Sequence, residues 1–151
     1  MKMKHILYFI VFVCIGVLSA CSQDPEFDVY EGKALNIAVI GEPPVIEEEQ
    51  VRFKEIAFDE LNEDIAGSYD AVFITERNLS KASESQFAEV YLASDIPFFF
   101  LSANNHIPFT IETESYSDSW KWSKGTSYAV GILPSEKDDS LKTWGFSLYN
   151  D

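Results

Sequence analysis

The most constraining stretch of this chain is Ile96 to Leu101, which carries Phe98, Phe99 and Phe100 in a row. Side chains on a strand alternate between the two faces of a sheet. A strand holding this triplet therefore needs apolar surroundings on both sides. Ala34 to Ile40, which ends at Gly41, and Tyr69 to Thr75 are runs of the same kind. Continuous apolar runs typify parallel strands covered on both faces. Trp144, Phe146 and Leu148 behave differently, alternating with Thr143, Gly145 and Ser147. Alternation marks a half-exposed strand, more often antiparallel. Tyr128 to Leu133 is its expected hairpin partner, joined by the polar loop Pro134 to Ser140.

A helix is expected between the second and third runs. Ser83-Glu84-Ser85-Gln86 has the spacing of a capping box, and Ser80 is a rival cap three residues earlier. Phe87, Val90 and Tyr91 fall on one face of that helix. Pro97 forces extended backbone at Ile96 and so ends it. Residues 45–61 show both periods. Phe53, Ala57 and Leu61 have helical spacing, whereas Val51/Phe53 and Ile56/Phe58 alternate with a change of parity. The reading adopted is a strand from Val51 to Phe58, bulged at the parity change, after a loop from Pro43 to Gln50. Residues 69–101 then form a βαβ unit with a right-handed crossover. The expected fold is α/β: a small mixed sheet with a βαβ unit, at least one covering helix and a C-terminal antiparallel hairpin. It superficially resembles flavodoxin-like or Rossmann-like halves. Gly41 is followed by Glu42-Pro43-Pro44, so no nucleotide-binding glycine fingerprint accompanies that likeness.

The start of the chain reads as a processed segment. Lys2 and Lys4 precede an uncharged apolar stretch from Ile6 to Leu18. That is short of the roughly 20 residues a spanning helix needs, but it suits the core of a secretory signal. Leu18-Ser19-Ala20-Cys21 resembles the lipobox of bacterial lipoproteins. The resemblance implies a diacylglyceryl group on the Cys21 sulfur and cleavage before Cys21. Residues 1–20 would be removed, 21–33 would be the lipidated cysteine and a tether, and 34–151 one domain. Lipid carrying two chains gives lasting attachment where one chain holds only marginally. Extended at roughly 3.3–3.6 Å per residue, Ser22 to Lys33 reaches about 40 Å. Phe27, Val29 and Tyr30 alternate within it, which would also suit an edge strand.

The chain has 11 basic and 25 acidic residues. Removing Lys2 and Lys4 with the signal leaves nine against 25, a net charge of −16. Such a charge opposes binding to nucleic acid or anionic lipid. With Cys14 in the signal and Cys21 lipidated, the domain is left without a thiol. The expected location is the outer face of the cell membrane, or the outer membrane in a diderm host. The mature region also resembles small lipoproteins of Bacillus-type bacteria, a likeness that brings no activity with it.

Ligands of open α/β sheets sit beyond the carboxyl ends of the strands. Those ends here carry Gly41-Glu42, Thr75-Glu76-Arg77-Asn78 and Ser102-Ala103-Asn104-Asn105-His106. Glu42, Glu76, Asn105 and His106 are the candidate ligand rim. Glu42 and Glu76 could pair for acid–base work, but no spacing fixes their separation. His106 is the single histidine after Cys21, and no G-x-S-x-G elbow precedes it. In a polar loop, it is expected to face solvent. The clusters Glu47-Glu48-Glu49, Asp59-Glu60 with Glu63-Asp64, and Asp138-Asp139 lack the calcium-loop pattern and read as solvated faces. No metal or cofactor is expected. Trp120 and Trp122 flank Lys121. They either pack the core from a long connection or form an exposed contact for a sugar or a partner.

Three functions fit this pattern. The preferred one is a tethered binding or accessory protein of the cell envelope, in contact with another envelope protein and marked by an exposed aromatic patch. The second is a small hydrolase, which requires Glu42, Glu76 and His106 in one cleft. The third is a one-lobed substrate-binding lipoprotein of a transporter, because Ala34 to Pro44 superficially resembles the opening of such proteins.

Overall fold

The computed structural model describes residues 27–135 and 137–149. Cys21, the lipobox and the signal lie outside the described residues. Six strands form one mixed sheet: β1 (Leu35–Ile40), β2 (Val51–Glu55), β3 (Ala71–Ile74), β4 (Phe98–Leu101), β5 (Ala129–Pro134) and β6 (Leu141–Phe146). Their order is β2-β1-β3-β4-β5-β6. The first four run parallel, and β5 and β6 are antiparallel additions. Short helices α1 (Leu79–Ala82), α2 (Ser85–Leu92) and α3 (Ile107–Thr110) complete the fold. No helix among the described residues is long and apolar enough to cross a membrane.

The principal core lies on one face of the sheet. Ala38, Ile40, Val72, Ile74, Phe98, Phe100, Val130 and Ile132 are buried there, against Leu79, Phe87, Tyr91 and Phe109 from the helices. Tyr91 sits against Phe98 and Phe100, with ring centroids 4.9 and 5.2 Å apart. Its hydroxyl donates to the Ala82 carbonyl at 2.9 Å, so the buried phenol is satisfied. Phe100 and Phe109 stack in parallel at 3.8 Å.

The opposite face is open. Ile37, Val39 and Ala71 are buried on it, with Phe53, Phe73 and Phe99 half-buried beside them. Trp144 and Phe146 continue the row at 40% and 48% exposure. In a doubly wound sheet, right-handed crossovers in both directions place helices on both faces. Here the connection from β1 to β2 is a helix-free loop, residues 41–50, and β5 and β6 pair antiparallel, so no crossover helix joins them. The expectation that the apolar runs are covered on both sides is therefore corrected: Phe98 and Phe100 are fully enclosed and Phe99 is not.

Four local expectations also change. The strand expected over 51–58 stops at Glu55. Its parity change marks the strand's end, because Phe58–Glu60 forms a 3-10 turn that brings Ile56 and Phe58 to the principal core. The capping box does not form. Glu84 occupies the N-cap of α2 with no side-chain cap bond. The Ser83 hydroxyl instead donates to the Ser80 carbonyl and accepts from the Tyr116 amide, stitching a distant loop to the helix. Phe27, Val29 and Tyr30 join no strand and are exposed. The described end of the tether is fixed by Lys33, which pairs with Asp70 at 2.7 Å. Asp70 also accepts from the Asn36 amide. The last strand spans Leu141–Phe146, which leaves Leu148 beyond it.

Candidate functional site

The parallel strands define one special place. From β1 the chain goes to β2 on one side, and β3 then returns to the other side. Ligands of open α/β sheets bind outside the carboxyl ends of strands at such a reversal. A cleft of about 510 Å³ opens there, lined by Gly41 and Glu42 after β1, Thr75 to Asn78 after β3, Leu101 and Ser102 at β4, and Tyr128. That volume lies within the range of small-molecule sites. A second cavity, of about 240 Å³, lies away from the strand ends, between Asn62–Ala66 and the outer side of α2.

The cleft floor is built from tight polar contacts. Gly41 has φ +113°, and a Cβ there would collide with the Thr75 side chain. The Thr75 hydroxyl and the Asn78 amide both donate to the Ile40 carbonyl, at 3.1 and 3.2 Å. These bonds hold the ends of β1 and β3 together. Ser102 is the one non-glycine described residue with positive φ, at 67°. Strain of this kind costs of order 1–3 kcal/mol and persists where the surroundings over-determine it. Ser102 meets that condition: its amide donates to Tyr128, and its carbonyl accepts from the Trp122 amide and the Tyr116 hydroxyl. Its hydroxyl donates to Glu76 at 3.2 Å.

Glu76 is held from its other side by Lys121 at 2.6 Å. The hydrogen bond from Lys121 lowers the carboxyl pKa below its usual range, and the Ser102 hydroxyl adds to this. Glu76 is therefore a fixed anion at neutral pH rather than a group that exchanges protons there. Glu42 lines the same cleft. The other two rim candidates do not. Asn105 accepts from the Ile107 amide through its side chain, an Asx turn that leads into α3. His106 is the N-cap residue of α3, half-buried rather than facing solvent, with Nδ1 3.2 Å from the Thr110 hydroxyl. Burial lowers its pKa, so it is neutral at pH 7. The expected three-cluster rim is thus corrected. The first two clusters meet Ser102, while the chain beyond it turns away into a short helix.

Trp120 and Trp122 are half-buried, and Trp120 ends a 3-10 turn rather than lying in a strand. The Trp122 ring packs edge-on against Tyr128, at 5.8 Å. Its indole Nε1 is the one buried side-chain nitrogen or oxygen without a partner among the described residues. An orphan donor of this kind calls for an acceptor, from water or from a ligand. It packs on the same Tyr128 that lines the cleft. Sequence reasoning missed both Tyr128, which lines the cleft, and Lys121, which pairs with its Glu76, because each lies more than 40 residues beyond Glu76 and only the fold brings them together. Among the described residues, no group of three or more His, Cys, Asp or Glu side chains could hold a metal ion.

These features describe a two-layer α/β protein with a polar cleft at the sheet's reversal point. No family model matches the chain, and no curated protein or solved structure matches it.

Proposed function

We propose that this protein is a lipid-anchored extracytoplasmic binding protein of the cell envelope that holds a small polar ligand in the cleft between β1, β3 and β4. The observation that carries this reading is the over-determined Ser102 at the cleft floor, locked to Glu76, Trp122, Tyr116 and Tyr128. A binding site benefits from such pre-organisation, since rigid groups lose little freedom when the ligand arrives. The hydrolase reading is not favoured. Glu76 is committed to Lys121 and Ser102, and His106 is bonded to Thr110 outside the cleft lining. Arg77, Glu42 and the Tyr128 ring remain to contact a ligand. Anchoring rests on the lipobox at Cys21, whose tether would keep the domain within about 40 Å of the membrane.

The test is a thermal-shift screen of the purified protein against amino acids, dipeptides, mono- and disaccharides and nucleosides. One class should raise the midpoint by roughly 5–10 °C, since ligand at 100 times its Kd stabilises by about 2.7 kcal/mol. Arg77→Ala should abolish that shift while keeping the unliganded midpoint close to that of the parent, and Tyr128→Ala should abolish it from a lower unliganded midpoint, because its ring also packs on Trp122. A shift that survives both substitutions would place the ligand elsewhere. Absence of a shift with every class would sink the small-ligand reading. Anchoring is checked separately, by incorporation of a labelled fatty acid that Cys21→Ser abolishes.

A further inference from the structure

We propose that the ligand of the cleft is a zwitterion, a free α-amino acid or short peptide whose carboxylate meets Arg77 and whose ammonium meets Glu42. This rests on the reading of the cleft as a small-ligand site, and it names the class of ligand that the site takes. Most polar side chains of the lining are spent on one another. The Thr75 hydroxyl and the Asn78 amide hold the Ile40 carbonyl, and Asn78 also donates to the Thr75 hydroxyl at 3.1 Å. Ser102 donates to Glu76, and Lys121 neutralises Glu76 at 2.6 Å. What remains is one anion, one cation and one hydroxyl. Among the described residues, the side chains of Glu42, Arg77 and Tyr128 make no hydrogen bond or ion pair, although all three line the cleft.

Glu42 and Arg77 also leave one another unpaired. Ile40 lies opposite Ile74 in the parallel register of β1 and β3. Glu42 stands two residues beyond Ile40 and Arg77 three beyond Ile74, on strands about 4.8 Å apart. The two opposite charges therefore spring from neighbouring strand ends onto one cleft of about 510 Å³. Lys121, rather than Arg77, dominates the lowered pKa of Glu76, so the Arg77 charge stays available.

Charge selects among the ligand classes. The chain carries −14, and its field opposes a simple anion such as phosphate. A simple cation is drawn in but leaves Arg77 facing a like charge. A neutral saccharide or nucleoside strips water from two charges and neutralises neither. A zwitterion has no net charge for the field to repel, and it answers both side chains at once. Arginine grips a carboxylate through two parallel N–H···O bonds, so the match on that side carries direction as well as charge. Tyr128 adds a hydroxyl and an aromatic wall for the ligand's own side chain.

The experiment is isothermal titration of the purified full chain, in detergent micelles, with the standard L-amino acids, dialanine and trialanine. At least one should bind. Its N-acetyl and amide derivatives, which lack the ammonium and the carboxylate charge respectively, should bind roughly 10–100-fold more weakly, the loss of one charge-assisted contact. In Glu42→Gln the parent compound and its N-acetyl form should bind alike. In Arg77→Gln the parent compound and its amide should bind alike. Both residues are exposed, so neither substitution should move the unliganded melting midpoint. Tighter binding by a single amino acid or by a peptide tells the two sources apart, and either supports the assignment. Blocked derivatives that bind as well as the parent compound would overturn it, as would binding that neither substitution weakens. A saccharide or nucleoside that binds where no zwitterion does would also overturn it, while leaving the cleft as a small-ligand site. No binding by any class removes the small-ligand reading itself, and this inference with it.

Discussion

Phe99 and Phe100 are sequence neighbours on β4, yet they live in different environments. Phe100 is wholly enclosed, stacked on Phe109 and edge-on to Tyr91. Phe99 is half-buried among Phe73, Trp144 and Phe146 on the open side. The pleat assigns them to opposite faces, and the connections decide which face is closed. The segments between β2 and β3 and between β3 and β4 place Leu61, Ile65, Leu79, Phe87 and Tyr91 over one side. The loop 41–50 supplies no helix to the other. One face stabilises the monomer; the other is left with surface to use.

The sharpest way to test this contrast is to truncate both phenylalanines. Phe100→Ala should lose about 3–5 kcal/mol in urea denaturation, from transfer and cavity terms together. Phe99→Ala should lose no more than about half as much, because part of its ring is already in water and its site has room to relax. Equal losses would mean that the open face is covered in the folded protein in solution.

A smaller effect is expected from Tyr91→Phe. The ring stays, but the bond to the Ala82 carbonyl is lost inside the core. Leaving that carbonyl unpaired should cost about 1–2 kcal/mol by the same measurement. On the open side, Trp144→Ser should change monomer stability by less than about 1 kcal/mol, as expected for a partly exposed site away from the closed core. A larger loss would show that the aromatic row also supports the fold.

The smallest effect concerns pH. Asp70 is lowered by its hydrogen bond from Lys33 and by the Asn36 amide, and Glu76 by Lys121. A carboxylate with a depressed folded pKa contributes stability that is present above its unfolded pKa. That contribution is lost as pH falls through the folded value. Melting midpoints should therefore fall as pH drops below the ordinary carboxylate range. Asp70→Asn and Glu76→Gln should each flatten that slope slightly, since exposed pairs contribute little. An unchanged slope in both variants would show that other carboxylates carry the acid response.

Much of the fold was legible locally. The apolar runs, the polar loop 134–140 and Pro97 located five strands and one helix, because burial and backbone chemistry act residue by residue. The sixth strand was located with its end misplaced, because the parity change at Ile56 and Phe58 fits a bulge as well as a turn. The Ser83 box misled because its hydroxyl had a better use with Tyr116, 33 residues away. Of the candidate rim, Glu42 and Glu76 were placed by the rule for strand ends. Asn105 and His106 were lost to a four-residue helix that the loop composition masked.

By itself, the amino-acid order determined the class of fold, the hairpin, the acidic character and the lipobox-like start. These depend on side-chain periodicity, turn chemistry, charge and a contiguous motif, all written along the chain. Only the tertiary structure decided that one sheet face stays open, that Tyr128 joins the cleft and that Lys121 pairs with Glu76. It also decided that Ser102 is held at positive φ. Each depends on which segments cross which face, and on contacts closed by strands far apart in sequence. No local pattern encodes that relation, because it exists only once the sheet has formed.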